Sequence, residues 1–181
     1  MIFYWRVGSD EGKQRLKEYP ELAKLGRNMK NAEDNYIVEI RDATTNGDVI
    51  GKVIVDTGNR SFSIFNGMSK GNWLILYDDE GRVLSYKIST NELHQRFFGH
   101  YAAVNPSREQ ILIENYPGEI SINSLETGEL KGKLVLDGDV VFARFSVNGR
   151  GLFILTNKQT VYAFDMNKVI KSKAQIAKLV K

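Results

Sequence analysis

The chain carries two histidines, His94 and His100, which are the first residues to test for a metal site. A metal site needs several imidazole, thiolate or carboxylate ligands that converge on one point. The sequence has no cysteine, and no His-x-x-x-His or Asp-x-Asp-x-Asp spacing is present. We therefore predict no metal site, and we interpret His94 as a surface residue and Gly99-His100 as a structural pair.

The acidic run Asp78-Asp79-Glu80-Gly81 lacks the alternating ligands of a calcium-binding loop. Asp and Gly favour a tight turn between two strands, which is the structural interpretation we prefer. The nucleophile elbow, the phosphate loop and the dinucleotide fingerprint are absent as well. The sequence predicts no catalytic residue, no enzyme activity and no cofactor.

Composition indicates an ordinary globular domain of 181 residues with a formal net charge of +3. We predict one domain over 1–181. Its basic tail, 167–181, is expected to be a solvated terminus rather than a membrane or nucleic-acid segment, because no aromatic residues interleave its lysines. No apolar run reaches the length of a membrane span, and no secretory signal is visible. The compartment stays open, with the cytoplasm as the default expectation.

Residues 9–34 are rich in helix formers. Ser9 or Asp10 can cap the first helix, and Pro20 suits the first turn of a second helix that ends near Gly26. An apolar stripe recurs at three- to four-residue spacing through Leu16, Tyr19, Leu22, Leu25 and Met29. This pattern predicts a two-helix excursion that buries one side.

From Tyr36 onward, short β runs alternate with turn residues, and Asn46-Gly47 marks the first hairpin. The same order of strand, turn, strand, turn and strand then recurs. Equivalent positions at Asp42, Lys87, Ser124 and Asp165 lie 45, 37 and 41 residues apart. Periods of about 40–45 residues with four strands each are typical of propeller blades. An antiparallel sandwich is the less favoured alternative.

The repeat resembles the degenerate, bacterial-type WD40 family over residues 36–166. Phe164-Asp165 matches the aromatic–Asp pair that ends the third strand of a WD40 blade, with Phe in place of Trp. The turns Thr127-Gly128-Glu129 and Thr90-Asn91-Glu92 match the turn that follows. Gly99-His100 matches the pair that opens a blade.

The resemblance implies an all-β fold with about four blades of four antiparallel strands in a partial ring, and a short helical insert at 9–34. Complete blades are expected at 61–98 and 101–136. The segment 140–165 lacks an outer strand unless the tail supplies it, and 3–7 is expected to join 36–55. We expect either the C-terminal part of a longer propeller or a homodimer joined near 3–7 and 161–165, because open sheet edges invite pairing.

The resemblance also implies a non-catalytic scaffold that binds an unidentified protein partner through loops on one propeller face. Loops at 56–60, 98–101 and 137–139 should share that face with turns at 78–82, 115–118 and 157–159. Exposed Tyr and Arg are good interface anchors. The predicted contact residues are Arg60, Arg82, His100, Tyr101 and Tyr116. The alternatives are a quinoprotein-like propeller that binds a cofactor or small molecule, and a weak nucleic-acid-binding module.

Overall fold

The computed structural model describes residues 1–27, 29, 31–45, 47–56, 64, 66–169 and 175–176. The chain divides into two compact units, which are described separately. Unit 1 comprises Met1–Asp78 and Tyr86–Leu93, and unit 2 comprises Asp79–Ser85 and His94–Lys181. No helix in the described part of the chain is long and apolar enough to cross a membrane.

The first sheet of unit 1 has the order β1-β2-β3 and is antiparallel. Its strands are β1 (Ile2–Arg6), β2 (Tyr36–Arg41) and β3 (Val49–Val55). The N-terminal strand therefore joins the 36–55 hairpin, as the sequence predicted. Residues 42–48 connect β2 to β3; Asn46, half of the predicted turn, lies outside the described residues, and Gly47 has a φ of 87°.

Two helices follow β1, in the region where the sequence predicted them. Helix α1 (Asp10–Glu18) is capped by Ser9, whose Oγ accepts the Gly12 N–H at 3.0 Å. Helix α2 (Pro20–Gly26) starts at the proline and ends at the glycine, and a 3-10 turn follows at Ala32–Asp34. Leu22 is fully buried, whereas Leu25 is 43% exposed, so the predicted stripe is wrong at that residue.

The second sheet has the order β4-β5-β6-β7. Its strands are β4 (Asn66–Lys70), β5 (Trp73–Tyr77), β6 (Arg82–Lys87) and β7 (Glu92–Phe98). Strands β4 and β5 pair antiparallel, with Lys70 opposite Trp73. This is the four-stranded blade expected at 61–98, although most of the residues between 57 and 65 lie outside the described set.

The third sheet, in unit 2, contains four antiparallel strands in the order β11-β10-β9-β8. They are β8 (Tyr101–Asn105), β9 (Gln110–Tyr116), β10 (Glu119–Ser124) and β11 (Leu130–Val135), with a 3-10 turn at Pro106–Arg108. The blade expected at 101–136 is confirmed.

The fourth sheet has the order β12-β13-β14 and is antiparallel. Its strands are β12 (Val140–Phe145), β13 (Gly151–Thr156) and β14 (Val161–Asp165), and helix α3 (Met166–Val169) follows. The tail strand β15 (Gln175–Ile176) does not supply the missing outer strand to this sheet. It lies parallel to β11 instead, with Gln175 opposite Leu134.

One apolar core holds the two sheets of unit 2 together. The inner side chains of β12–β14 pack against the third sheet, and Met166 and Val169 of α3 join them. Alternation along each strand produces this arrangement, because every second residue faces the core. The outer side chains of the same strands are left on the surface.

Two glycines with positive φ provide a test of the turn assignment. Gly81 and Gly128 have φ values of +77° and +72°, in the left-handed region that β-branched residues avoid. We expect Gly81→Val and Gly128→Val each to lower the free energy of unfolding by about 1–2 kcal/mol. Urea denaturation measures the loss, with Asp79→Val, in the same turn as Gly81 but outside the positive-φ region, as the control. Unchanged midpoints for both glycine variants would contradict the turn assignment.

Candidate functional site

Several of the predicted loop residues in unit 2 surround an open cleft of about 470 Å³. The turn before β6, the link from β7 to β8 and the turn between β9 and β10 contribute to its walls. The ends of β10 and β11 complete it. The lining residues are 80–81, 98–100, 115–116, 119–121 and 133–135. Three of the six segments predicted to share one face, 78–82, 98–101 and 115–118, therefore contribute to this cleft. The segments 137–139 and 157–159 do not line it, and 57–60 lie outside the described residues.

Backbone hydrogen bonds set the geometry of these loops. The Gly99 N–H donates to the Gly81 carbonyl at 2.8 Å, and the His100 N–H donates to the Glu114 carbonyl at 2.8 Å. The Asn115 side-chain amide donates to the Phe98 carbonyl at 2.7 Å. Because the link from β7 to β8 is tied to both turns, the cleft walls are held in register.

A buried carboxylate anchors the turn that carries Tyr116. Glu114 is only 4% exposed. Its Oε1 accepts the backbone N–H of Gly118 and that of Val140, both at 2.9 Å. Hydrogen bonds to a charged acceptor are stronger than those between neutral groups. Glu114 therefore links the β9–β10 turn to the start of β12.

The cleft combines exposed apolar side chains with charges of both signs. Phe98 and Tyr116 are each 67% exposed, and Val135 is 54% exposed. Large apolar residues at this exposure, grouped around a cleft, are characteristic of binding surfaces. The charged members are Glu80, Glu119 and Lys133.

Two of the predicted contact residues, His100 and Tyr116, line the cleft directly. Arg82 begins β6 next to the lining residue Gly81, and its guanidinium lies 3.3 Å from the Glu80 carboxylate. The side chain of Arg82 is only 17% exposed. It is therefore placed to orient Glu80.

Tyr101 occupies a half-buried position with a structural role. Its hydroxyl oxygen accepts the Ala143 N–H at 2.9 Å, and its ring packs against the core of unit 2. This tyrosine joins β8 to β12 and is not among the residues that line the cleft. The fifth predicted contact, Arg60, lies outside the described residues.

Among the described residues, no group of three or more His, Asp or Glu side chains is arranged to hold a metal ion. His94 lies 3.3 Å from the Glu126 carboxylate, on a different part of unit 2 from the cleft.

Comparison with known proteins gives a fold. No family model matches the chain, and no curated protein matches it. A chain in the crystal structure of the mitotic checkpoint complex matches with a TM-score of 0.56 and 18% sequence identity. The match covers 74% of this chain and 41% of that one, so this chain spans less than half the length of its structural neighbour.

This neighbour and the antiparallel sheets decide the fold. The chain has the fold of WD40-like β-propeller blades. Its four sheets are the blades: β1–β3, β4–β7, β8–β11 and β12–β14. Two blades have four antiparallel strands, and two have three within the described residues.

Phe98 and Val135 line the cleft but escaped the sequence-based search. Because neighbouring strand residues face opposite sides of a sheet, Phe97 and Phe98 must lie on opposite faces of the blade. The pair of phenylalanines therefore indicates two differently placed rings, but it does not indicate which ring is exposed. Val135 follows Lys131 and Lys133 on an otherwise polar side of β11, and this break in alternation was the available signal.

Proposed function

We propose that this chain is a non-catalytic WD40-like scaffold that binds a protein partner through the cleft of unit 2. The observation that carries the proposal is the convergence of Phe98, Tyr116 and Val135, all more than half exposed, on loops held by hydrogen bonds. Aromatic anchors on a preorganised surface are the usual hot spots of protein interfaces.

The chemistry of the cleft favours a short peptide segment with an apolar anchor and charged flanks. The anchor would bury the rings of Phe98 and Tyr116. A basic residue on the segment would meet Glu119, and an acidic residue would meet Lys133. Because two carboxylates and only one lysine line the cleft, a uniformly anionic nucleic-acid backbone fits it poorly. The quinoprotein-like alternative stays a prediction from the sequence.

Selection from a random-sequence peptide library against the full chain tests this proposal. We expect selected peptides to contain an aromatic or branched apolar residue with charged neighbours. Tyr116→Ala should weaken their binding by at least about tenfold, since loss of a hot-spot ring costs more than 1.4 kcal/mol. Isothermal titration of the purified variants gives the affinities.

Tyr4→Ala is the matched control, because Tyr4 is a 49% exposed tyrosine in unit 1. Its affinity for the selected peptides should equal that of the original chain. Peptides that bind Tyr116→Ala and the original chain equally would overturn the proposed site. A library that yields no binding peptide would overturn the peptide-binding function.

A further inference from the structure

The outer face of the last blade, β12–β14, is an apolar surface with no cover among the described residues of unit 2. Strand alternation brings five apolar side chains onto it. They are Phe142, Phe153, Leu155, Val161 and Ala163. Phe142 is 49% exposed, Phe153 is 50% exposed and Val161 is 66% exposed.

Strand register makes this surface contiguous. Leu155 lies between Phe142 and Val161 on neighbouring strands, and Phe153 lies between Arg144 and Ala163. The first row, Phe142, Leu155 and Val161, is thus apolar throughout, and the adjacent row places Phe153 and Ala163 beside Arg144. Monomeric soluble proteins rarely expose contiguous apolar patches of this kind, and a patch rimmed by polar residues marks an interaction site.

In unit 1, by contrast, an apolar blade face is covered by the helical insert at 9–34. One face of the β1–β3 blade carries Trp5, Ile37 and Ile54, and the helical region covers it with the buried Leu22 and with Tyr19. A repeat face that has no neighbouring repeat against it needs such a cover. The described part of unit 2 provides no equivalent cover for the outer face of β12–β14.

We propose that this outer face is a self-association surface and that its occupant is the same face of a second copy. Two apolar sheets pack face to face at about 10 Å, which buries side chains of this size. A two-fold axis makes such a contact closed and self-complementary. The inference goes beyond the proposed peptide-binding function, because it concerns a different surface of unit 2.

Charge placement favours the second copy as the occupant. Arg144 and Asp165 are both exposed, at opposite edges of this face. A two-fold axis parallel to β13 places β12 over β14 of the second copy. Arg144 then faces the second copy's Ala163, which is two residues, or about 6.8 Å along the strand, from its Asp165, within reach of an arginine side chain. The symmetry creates this pair twice.

A homodimer joined near 3–7 and 161–165 is one of the two alternatives that the sequence left open, beside the C-terminal part of a longer propeller. The present proposal keeps the second of these segments, because Val161, Ala163 and Asp165 lie on the exposed face. It does not use 3–7, since the blade that contains β1 has its own helical cover.

Sedimentation equilibrium of the full chain at micromolar concentration tests the proposal. We expect a dimer for the original chain and a shift of at least tenfold toward monomer for Phe153→Lys. Ile50→Lys is the matched control, because Ile50 is a 60% exposed strand residue of unit 1. It should leave the dimer intact. A monomer at all concentrations, or open-ended aggregation of the original chain, would overturn the closed dimer.

A charge exchange identifies the occupant independently of the apolar substitution. Arg144→Glu and Asp165→Arg should each weaken the dimer, and the double variant should restore it, because the pair forms between copies. Far-UV circular dichroism establishes that each variant is folded. Weakening without restoration would overturn the two-fold arrangement. Peptide binding at the cleft should be unaffected in every case, so failure of this proposal is distinguishable from failure of the proposed function.

Discussion

Replacement of Glu39 by alanine is expected to lower the free energy of unfolding by about 3 kcal/mol, the lower end of the range for breaking a buried ion pair. Glu39 is fully buried in β2, and its carboxylate pairs with two guanidiniums. Arg41 donates from Nη2 at 2.6 Å, and Arg15 of α1 lies 3.3 Å away. The lower end applies because both arginines are more than a quarter exposed and can be hydrated when the carboxylate is lost.

The same carboxylate ties the helical insert to the first blade. The Tyr19 hydroxyl, between α1 and α2, donates to Glu39 Oε1 at 3.0 Å. Burial raises the pKa of Tyr19, and this hydrogen bond raises it further. The Arg15 guanidinium also lies over the Trp5 ring of β1, with its Cζ 4.8 Å from the ring centre. Loss of Glu39 should therefore loosen the helices before the blade itself unfolds.

Urea denaturation followed by tryptophan fluorescence measures the loss, at one protein concentration for all variants. Limited proteolysis reports the helices, and we expect faster cleavage within 9–34 for Glu39→Ala. Glu11→Ala, an exposed residue in the first turn of α1, is the control. A midpoint for Glu39→Ala that equals the control would mean that the network contributes nothing to the insert's attachment.

The Glu39 network also shows which feature of the helical insert the sequence could not predict, namely the surface on which it packs. The insert, its cap at Ser9 and its break at Pro20 were predictable, because local chemistry decides them. The surface on which the insert packs was not, because it depends on which face of β2 meets the helices. Glu39 stands between Val38 and Ile40, in a run that alternates poorly, so a buried glutamate could not be distinguished from a surface one.

Blade order was predictable for a different reason. Alternation of period two, together with turn glycines such as Gly81 and Gly128, determines strands and hairpins from local sequence. The pairing of the tail was not predictable, since Gln175 lies beside β11 rather than beside β14. Pairing between distant segments depends on tertiary packing, and a strand of two residues is too short to show a pattern that would predict its partner.

The cleft was predictable in part. His100 and Tyr116 were located because loop position alone places them on the shared face. Tyr101, one residue after His100, was selected by the same argument, and its hydroxyl accepts a backbone N–H of β12. Sequence indicates that a residue is near a loop, but the direction of its side chain depends on the strand that follows.

Replacement of Glu114 by alanine is expected to lower the free energy of unfolding by about 2–4 kcal/mol. Two buried backbone N–H groups, of Gly118 and Val140, would lose their common acceptor, and each unsatisfied group costs about 1–3 kcal/mol. Some of that cost is recovered if water enters the space left by the side chain. Because the β9–β10 turn carries Tyr116, the affinity of the selected peptides should fall as well.

Glu114→Gln separates the hydrogen bonds from the charge. Both N–H groups donate to the same oxygen, Oε1, so a glutamine amide oxygen can accept both. We expect it to retain most of the stability, with a loss of about 1 kcal/mol from the weaker, uncharged acceptor. Urea midpoints and peptide affinities of the two variants provide the measurement. Equal losses for alanine and glutamine would show that the negative charge, rather than the shared acceptor, stabilises the turn.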